Sequence, residues 1–347
     1  MSKAIDVDGY IARLVADGVV QSELSPVLSG LTKATRVLAK IVSSGAGKGD
    51  LATKLKGNNG SGDAPTKLDV LSNEIVMSRL SEAPVAWVAS EECERSVQIV
   101  AGAPLSVAID PLDGSSNIET NAPVGTIFSI VRTSPCGDSD ATFLQPGSGQ
   151  VAAGFVVYGP QCSLVLSVGR GTAAFTLDPD LGSFVLTSES MFVSEIAREF
   201  AINASNARHW SPAIRNYVED CVAGVDGPRG RDFNMRWIAS LVAEAERILV
   251  RSGVYLYPHD SRTGYEHGRL RLIYEANPIA FLIEQAGGAA TDGVQRVLDL
   301  KPQHIHQKVP LVFGSRGEVE LIARYVRELE GRSQPHQLFS DRGLLRH

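Results

Sequence analysis

The chain has 347 residues, a formal net charge of −6, 44% hydrophobic and 21% charged side chains and 33 glycines, the balance of a globular protein rather than a disordered or fibrous one. A negative net charge argues against nucleic acid or an anionic membrane as the main partner, because either grip needs a positive field, so any phosphate site has to be local. No apolar run approaches the ~20 residues that span a bilayer, and the opening Met-Ser-Lys-Ala-Ile-Asp has no signal-peptide core, so a cytoplasmic protein is expected.

In chain order, the first clear helix is expected to open at Ser25-Pro26, a capping residue followed by a proline in the first turn. Val27, Leu28, Leu31, Ala34, Leu38 and Ile41 then recur at helical spacing, and glycines at 45, 47 and 49 end the helix. Residues 48–64 are rich in Gly, Asn, Ser and Asp without apolar periodicity and read as a mobile surface loop. A helix over 68–80 precedes a strand over 85–89 that runs into Ser90-Glu91-Glu92, and a strand over 105–109 runs into Asp110-Pro111-Leu112-Asp113-Gly114. Two strands thus deliver acids at their ends.

Strands over 126–131, 151–158, 163–168, 173–177 and 184–186 follow as a meander. The helical period returns from Trp237 to Leu249 and closes at Gly253; strands over 254–257 and 270–274, a helix over 277–287, a strand over 311–313 and a helix over 318–329 complete the chain. Alternating helices and sheets imply an α/β layered sandwich. A soft boundary near Ser190 divides an N-terminal half, 1–190, from a C-terminal half, 191–330, and the polar segment 331–347 reads as a loosely packed tail. Cys93, Cys136, Cys162 and Cys221 are widely spaced and read as free thiols.

Asp63, Asp69, Glu91, Glu92, Asp110, Asp113 and Glu275 form the candidate site, because several of them should converge on one rim. Crowded carboxylates stay ionised only beside cations, and an all-oxygen donor set selects a hard ion such as Mg²⁺ or Mn²⁺. A Strand-Asp-Pro-Leu-Asp-Gly-Ser-Ser sequence places two carboxylates and a carbonyl around a tight turn, then offers amides and hydroxyls to a phosphate. Gly45-Ala-Gly-Lys-Gly49 lacks the P-loop spacing, and His304 and His306 have no third ligand near in sequence, so neither is read as a binding motif.

Asp110-Pro-Leu-Asp-Gly-Ser-Ser-Asn-Ile118 resembles the signature of the lithium-sensitive, metal-dependent phosphomonoesterase superfamily, in the extended form of class I fructose-1,6-bisphosphatase. The likeness continues through Lys67-Leu-Asp-Val-Leu-Ser-Asn73, Ser90-Glu-Glu92, Val124-Gly-Thr-Ile-Phe-Ser-Ile130, Leu144-Gln-Pro-Gly147, Val151-Ala-Ala-Gly-Phe-Val-Val-Tyr-Gly159 and Leu270-Arg-Leu-Ile-Tyr-Glu-Ala-Asn-Pro278, covering residues 24–329. The resemblance implies an α-β-α-β-α sandwich, a homotetramer and hydrolysis of the 1-phosphate of fructose 1,6-bisphosphate. Glu91, Glu92, Asp110, Asp113, Glu275 and the Leu112 carbonyl are the implied metal ligands. Asp69 and Glu92, with the loop acid Asp63, would orient or deprotonate the attacking water. Asp113, Gly114, Ser115 and Ser116 would hold the leaving phosphate, and Asn203, Tyr257, Arg269 and a neighbouring subunit's Arg236 the distal phosphate and sugar. Arg271 is read as structural.

The sequence departs from the family in several places. Trp237 stands where tyrosine is common after the residue matching Arg236, Ala-Ser-Asn follows Asn203 in place of a Glu-Gly-Tyr-like segment, and Arg269 replaces lysine. Pro104-Leu105 replaces the Lys-Tyr pair that contacts inhibitory AMP in relatives, although Glu23-Leu24-Ser25 and Arg132 match that site. Sedoheptulose-1,7-bisphosphate is the alternative substrate. Inositol monophosphatase is disfavoured because its Trp-Asp-x-Ala-Ala-Gly signature is absent, and a silent sugar-phosphate sensor because every acid is present.

Overall fold

The computed structural model describes residues 5–45, 52–55, 59–60, 64–134 and 139–330. Asp63, Cys136, most of the 48–64 loop and the 331–347 tail lie outside the described residues. Among the described residues seven α-helices run through Val7–Ala16 (α1), Leu24–Ser44 (α2), Lys67–Leu80 (α3), Pro212–Val222 (α4), Leu241–Arg251 (α5), Asn277–Gln285 (α6) and Arg316–Glu330 (α7). An eight-stranded sheet holds Val85–Ser90 (β1), Val97–Gln98 (β2), Leu105–Asp113 (β3), Val124–Arg132 (β4), Gln150–Tyr158 (β5), Cys162–Ser167 (β6), Ala173–Asp178 (β7) and Ser183–Ser188 (β8), in the order β2-β1-β3-β4-β5-β6-β7-β8. A second sheet contains Glu199–Ala201 (β9), Asn234–Met235 (β10), Val254–Tyr257 (β11), Ala289–Thr291 and Leu311–Gly314, and Leu270–Arg271 pairs separately with Lys308–Val309.

Strand periodicity explains why these elements stack in five layers. Along β5, Ala152, Val156 and Tyr158 face the core shared with α1, α2 and α3, whereas Ala153, Phe155 and Val157 face α5 and α6. On β11, Tyr255 packs into that same central core, while Val254 and Leu256 turn to the outer core with Ile214 and Tyr217 of α4 and Ile322 of α7. The order is therefore helices, sheet, helices, sheet, helices, the α-β-α-β-α sandwich expected.

Several local expectations are corrected. Helix α2 begins at Leu24, not at Ser25-Pro26, and has no side-chain cap, because the Leu24 and Ser25 amides already donate to Gln21 O (3.1 Å) and Ser22 O (3.2 Å) in the preceding turn. The acidic motif is not a turn after a strand: β3 continues to Asp113, pairing Asp110 with Ile127 and Asp113 with Gly125 across a register shift. Pro111 has no N–H for the ladder and its carbonyl instead accepts from Thr126 Oγ1 (2.8 Å), so the strand bends but does not end. The turn comes one residue later at Gly114, whose φ of +76° is a left-handed conformation suited to glycine. Residues 270–274 form only a two-residue strand followed by a π-helical turn, Leu272–Ala276. Helices α1 and α4 are additions to the sequence-based reading.

Candidate active site

The acids converge because β1 and β3 lie side by side and parallel, with Ser90 opposite Ile109, so that the turn after β1 and the last residues of β3 share one end of the sheet. The Glu91 amide donates to Ile109 O (3.1 Å), which sets Glu91 beside Asp110. Glu92 is held in the same turn: its amide donates to Ser90 Oγ (3.3 Å), Ser90 Oγ donates to Asn73 Oδ1 (2.8 Å), and Asn59 Nδ2 donates to Glu92 Oε1 (3.3 Å). Glu275 arrives on the π-helical turn, its carboxylate accepting the Arg271 amide. A π turn adds a residue to the helical register, and such turns are frequent at functional sites.

Asp110, Asp113 and Glu275 are 2%, 8% and 7% exposed, and their carboxylate oxygens lie within 4.8 Å of one another. Burial, followed by repulsion from Glu91, Asp113 and Glu275, holds the Asp110 carboxyl well above the usual range. Burial likewise pushes Asp113 up to about 7, offset by the Val242 amide and reinforced by Glu91, and raises Glu275 well above its ordinary value. Three buried oxygen ligands that repel one another fit a hard divalent cation, whose charge would stabilise the ionised forms.

A helix terminus supports the cluster. Ser240 caps α5, and the Val242 amide in its first turn donates to Asp113 Oδ2 (3.3 Å). Helix α5 can come this close because Gly125 on β4 has no side chain: a Cβ there would sit 2.3 Å from Val156 O and 2.6 Å from a Val242 methyl. Asn117 Nδ2 donates to Ala239 O (2.9 Å), tying the 3₁₀ turn Ser115–Thr120 to the start of α5. No residue of α5 is placed at the acids by the sequence, and the helix expected from Trp237 begins only at Leu241, because Ser240 caps it there.

Asp69 occupies the third position of α3 in a capping box with Thr66, accepting the Thr66 amide (2.6 Å) while its own amide donates to Thr66 Oγ1 (3.2 Å). Its carboxylate also takes a hydrogen bond from Ser115; burial raises its pKa and these bonds oppose the rise. Asp69 therefore joins α3 to the Gly114-Ser115-Ser116 turn, where Ser115 is half-buried and Ser116 exposed. The Leu112 amide donates to Asp110 Oδ1 (2.9 Å), which orients that carboxylate.

The candidate distal end is built separately. Tyr257, at the end of β11, is hydrogen-bonded to Arg269, and Arg269 Nη1 also donates to Tyr265 Oη (2.8 Å). Asn203 caps the 3₁₀ turn Ala204–His209, accepting from the Ser205 amide (3.2 Å) and hydroxyl (2.6 Å). Arg236 follows β10 on the outer edge of the second sheet, its side chain about half exposed and its Nε 3.8 Å from Glu199 Oε1. Arg271 is buried and its Nη1 donates to Arg269 O (2.8 Å). His306 Nε2 donates to Cys93 O (3.0 Å) and its Nδ1 is hydrogen-bonded to Tyr274 Oη (2.8 Å), which pins the π-helical turn to the Glu91-Glu92 turn.

The family described as "Fructose-1-6-bisphosphatase, N-terminal domain" matches residues 13–189, and its C-terminal domain matches residues 193–327. The chain belongs to the class 1 fructose-1,6-bisphosphatase family. Class 1 fructose-1,6-bisphosphatases of Sinorhizobium medicae and Methylorubrum extorquens are 52% identical over 343 residues and 50% identical over 340 residues, with 98% of this chain covered in both cases and 98% and 97% of the relatives. The crystal structure of Leishmania major fructose-1,6-bisphosphatase in holo form superposes with a TM-score of 0.85 at 30% identity, covering 93% of this chain and 99% of that one. Membership implies a divalent metal cofactor, which the buried acid cluster fits. Within this fructose-1,6-bisphosphatase, Trp237 stacks on Tyr255 (centroids 5.8 Å apart, planes 6° apart) and tilts against Tyr257 (6.3 Å).

Proposed function

We propose that this chain is a metal-dependent phosphatase that hydrolyses the 1-phosphate of fructose 1,6-bisphosphate to fructose 6-phosphate and inorganic phosphate. The observation that carries the reading is the convergence of Asp110, Asp113 and Glu275, buried and within 4.8 Å of one another, in a chain about half identical to named fructose-1,6-bisphosphatases. Glu91, Glu92, Asp110, Asp113, Glu275 and the Leu112 carbonyl would hold Mg²⁺ or Mn²⁺. When bound, such ions neutralise charge on the phosphoryl group and lower the pKa of water. Glu92 and Asp69, with Asp63, would accept the proton of the attacking water or hold it in line. The Gly114-Ser115-Ser116 turn would bind the departing phosphate through its amides and hydroxyls. Identifying the product tests the regiochemistry: fructose 6-phosphate is expected, and fructose 1-phosphate would contradict it.

A bisphosphate needs a second cationic grip, assigned here to Asn203, Tyr257, Arg269 and a neighbouring subunit's Arg236. Arg236 lies exposed on a sheet edge, flanked by the exposed apolar side chains of Met235 and Ile238, which favours an edge shared between copies in a homotetramer. The acid motifs and meander of 1–190 and the phosphate-binding residues of 191–330 would then act as two halves, in a cytoplasmic enzyme. Arg236→Ala is expected to raise KM for the bisphosphate about tenfold, with a smaller effect on kcat, because it removes one remote charge-assisted contact. Unchanged KM would remove Arg236 from the substrate site.

At the other end of the first sheet, Gln21, Glu23, Leu24, Pro104, Leu105 and Arg132 line a cavity of about 560 Å³. Arg132 Nη2 donates to Gln21 Oε1 (2.8 Å), and Pro104 and Leu105 present neither cation nor hydroxyl. Losing one charge-assisted bond of about 1.5–3 kcal/mol weakens AMP about 10- to 100-fold relative to a Lys-Tyr relative. AMP titrated into the metal-dependent assay should therefore inhibit weakly, and potent inhibition at micromolar AMP would contradict this.

A further inference from the structure

We infer that Tyr265 is a positioning residue for substrate: it fixes the Arg269 guanidinium over the distal-phosphate site, and so sets affinity for a bisphosphate over a monophosphate. This rests on the assignment of Arg269 to that phosphate. Arg269 is exposed, and among the described residues no carboxylate pairs with it. Its guanidinium instead lies 4.7 Å from the Tyr265 ring centroid and donates from Nη1 to the Tyr265 hydroxyl at 2.8 Å. A cation held by an aromatic face and a neutral hydroxyl keeps its full charge for an incoming dianion, whereas one held by a carboxylate would have to be released first.

The loop is built to hold that ring. The Tyr265 carbonyl accepts from the Asp260 amide (3.3 Å) and the Gly268 amide (3.0 Å), and the Tyr265 amide donates to Arg262 O (3.0 Å). Arg262 also lies over the ring, 4.1 Å from its centroid, but its charge is met by the buried Asp260 carboxylate. The one other carboxylate bonded within the loop, Glu266, accepts the Gly264 amide at 2.7 Å. Ser261 N donates to His209 O (3.2 Å), joining the loop to the turn capped by Asn203. Tyr265 thus links three of the four residues assigned to the distal end: Arg269 directly, Tyr257 through Arg269, and Asn203 through the loop.

The test is steady-state kinetics of the wild type, Tyr265→Ala, Tyr265→Phe, Arg269→Ala and the double variant Tyr265→Ala/Arg269→Ala. The substrates are fructose 1,6-bisphosphate and fructose 1-phosphate, which lacks the distal phosphate; thermal melting checks the fold. Tyr265→Ala is expected to raise KM for the bisphosphate about tenfold, with kcat changed by less than about threefold, as for loss of one cation–π contact and one hydrogen bond. Tyr265→Phe, which keeps the ring, should show a smaller rise. Kinetics on fructose 1-phosphate should move little, and the double variant should match Arg269→Ala alone. If Arg269→Ala raises KM and Tyr265→Ala does not, or if their effects add, Tyr265 does not act through Arg269 and the inference is overturned. Equal losses on both substrates would show a merely structural tyrosine. An Arg269→Ala variant with wild-type KM would remove the assignment of Arg269 itself, and the inference with it.

Discussion

Glu92→Gln should lower kcat at least ~100-fold while leaving the fold intact, a loss of about 2.7 kcal/mol of transition-state stabilisation. Glutamine is nearly isosteric with glutamate, so the turn after β1 can keep its shape: the position-92 amide still donates to Ser90 Oγ, and a side-chain oxygen can still accept from Asn59. What disappears is a negative charge and a proton acceptor one residue after Glu91, the acid that repels Asp110, Asp113 and Glu275. In the roles proposed for Glu92, losing a ligand charge would weaken metal binding, and losing the acceptor would leave the attacking water protonated. Saturating metal should restore affinity but not turnover. Wild-type kcat in a variant that melts like the wild type would take Glu92 out of the chemistry.

The largest expected loss of stability lies far from the acids, at Glu318 of α7. Its buried carboxylate accepts both Arg229 Nη2 bonds (2.7 and 2.8 Å), Arg231 Nη2 (2.7 Å) and the Tyr217 hydroxyl of α4 (2.8 Å). The Arg229 side chain is itself only 9% exposed and lies over the Phe233 ring, 4.6 Å from the centroid. Glu318→Ala therefore leaves one buried guanidinium and a half-buried second one without their counter-charge, and takes away the carboxylate acceptor of the Tyr217 hydroxyl. Breaking a buried pair in this way costs about 3–5 kcal/mol, far more than an exposed pair contributes. The urea midpoint should fall accordingly, with Glu318→Gln in between because it keeps acceptors without the charge. A midpoint within experimental error of wild type would show that the two arginines reach solvent without cost.

What was legible in the sequence were strands that end in acids. Short apolar runs over 85–89 and 105–109 predict strands that deliver Glu91 and Asp110, while their parallel pairing, with Ser90 against Ile109, brings those acids together only in the fold. The path of the chain around them was less legible. Leu270, Leu272 and Tyr274 alternate as a strand would, yet the Leu272 amide makes the last bond in the register of the Leu270–Arg271 ladder, to Gln307 O (2.8 Å), while the Arg271 amide is taken by the Glu275 carboxylate and the chain closes into the π-helical turn. Ser25-Pro26 looked like a helix start, but the turn at Gln21 and Ser22 satisfies those amides first. By contrast Ser211-Pro212 carries the same signal, and there the serine does cap α4. Short α1, ahead of the first helix expected at Ser25, is legible too: Asp6 caps it, and Val7, Tyr10, Ile11, Leu14 and Val15 recur at helical spacing. Tyr265 gave no signal, because its partners Arg262 and Arg269 become neighbours only when the loop folds around its carbonyl.

The central claim is that a buried carboxylate cluster holds divalent metal for hydrolysis of a sugar bisphosphate. It is tested most directly by phosphate release from fructose 1,6-bisphosphate, sedoheptulose 1,7-bisphosphate, fructose 6-phosphate and inositol 1-phosphate, each with Mg²⁺, with Mn²⁺ and after thorough chelation. Fructose 1,6-bisphosphate should be turned over with the highest kcat/KM, the monophosphates poorly, and chelation should abolish release until metal is returned. Release that survives chelation, or a preference for inositol 1-phosphate, would contradict the account.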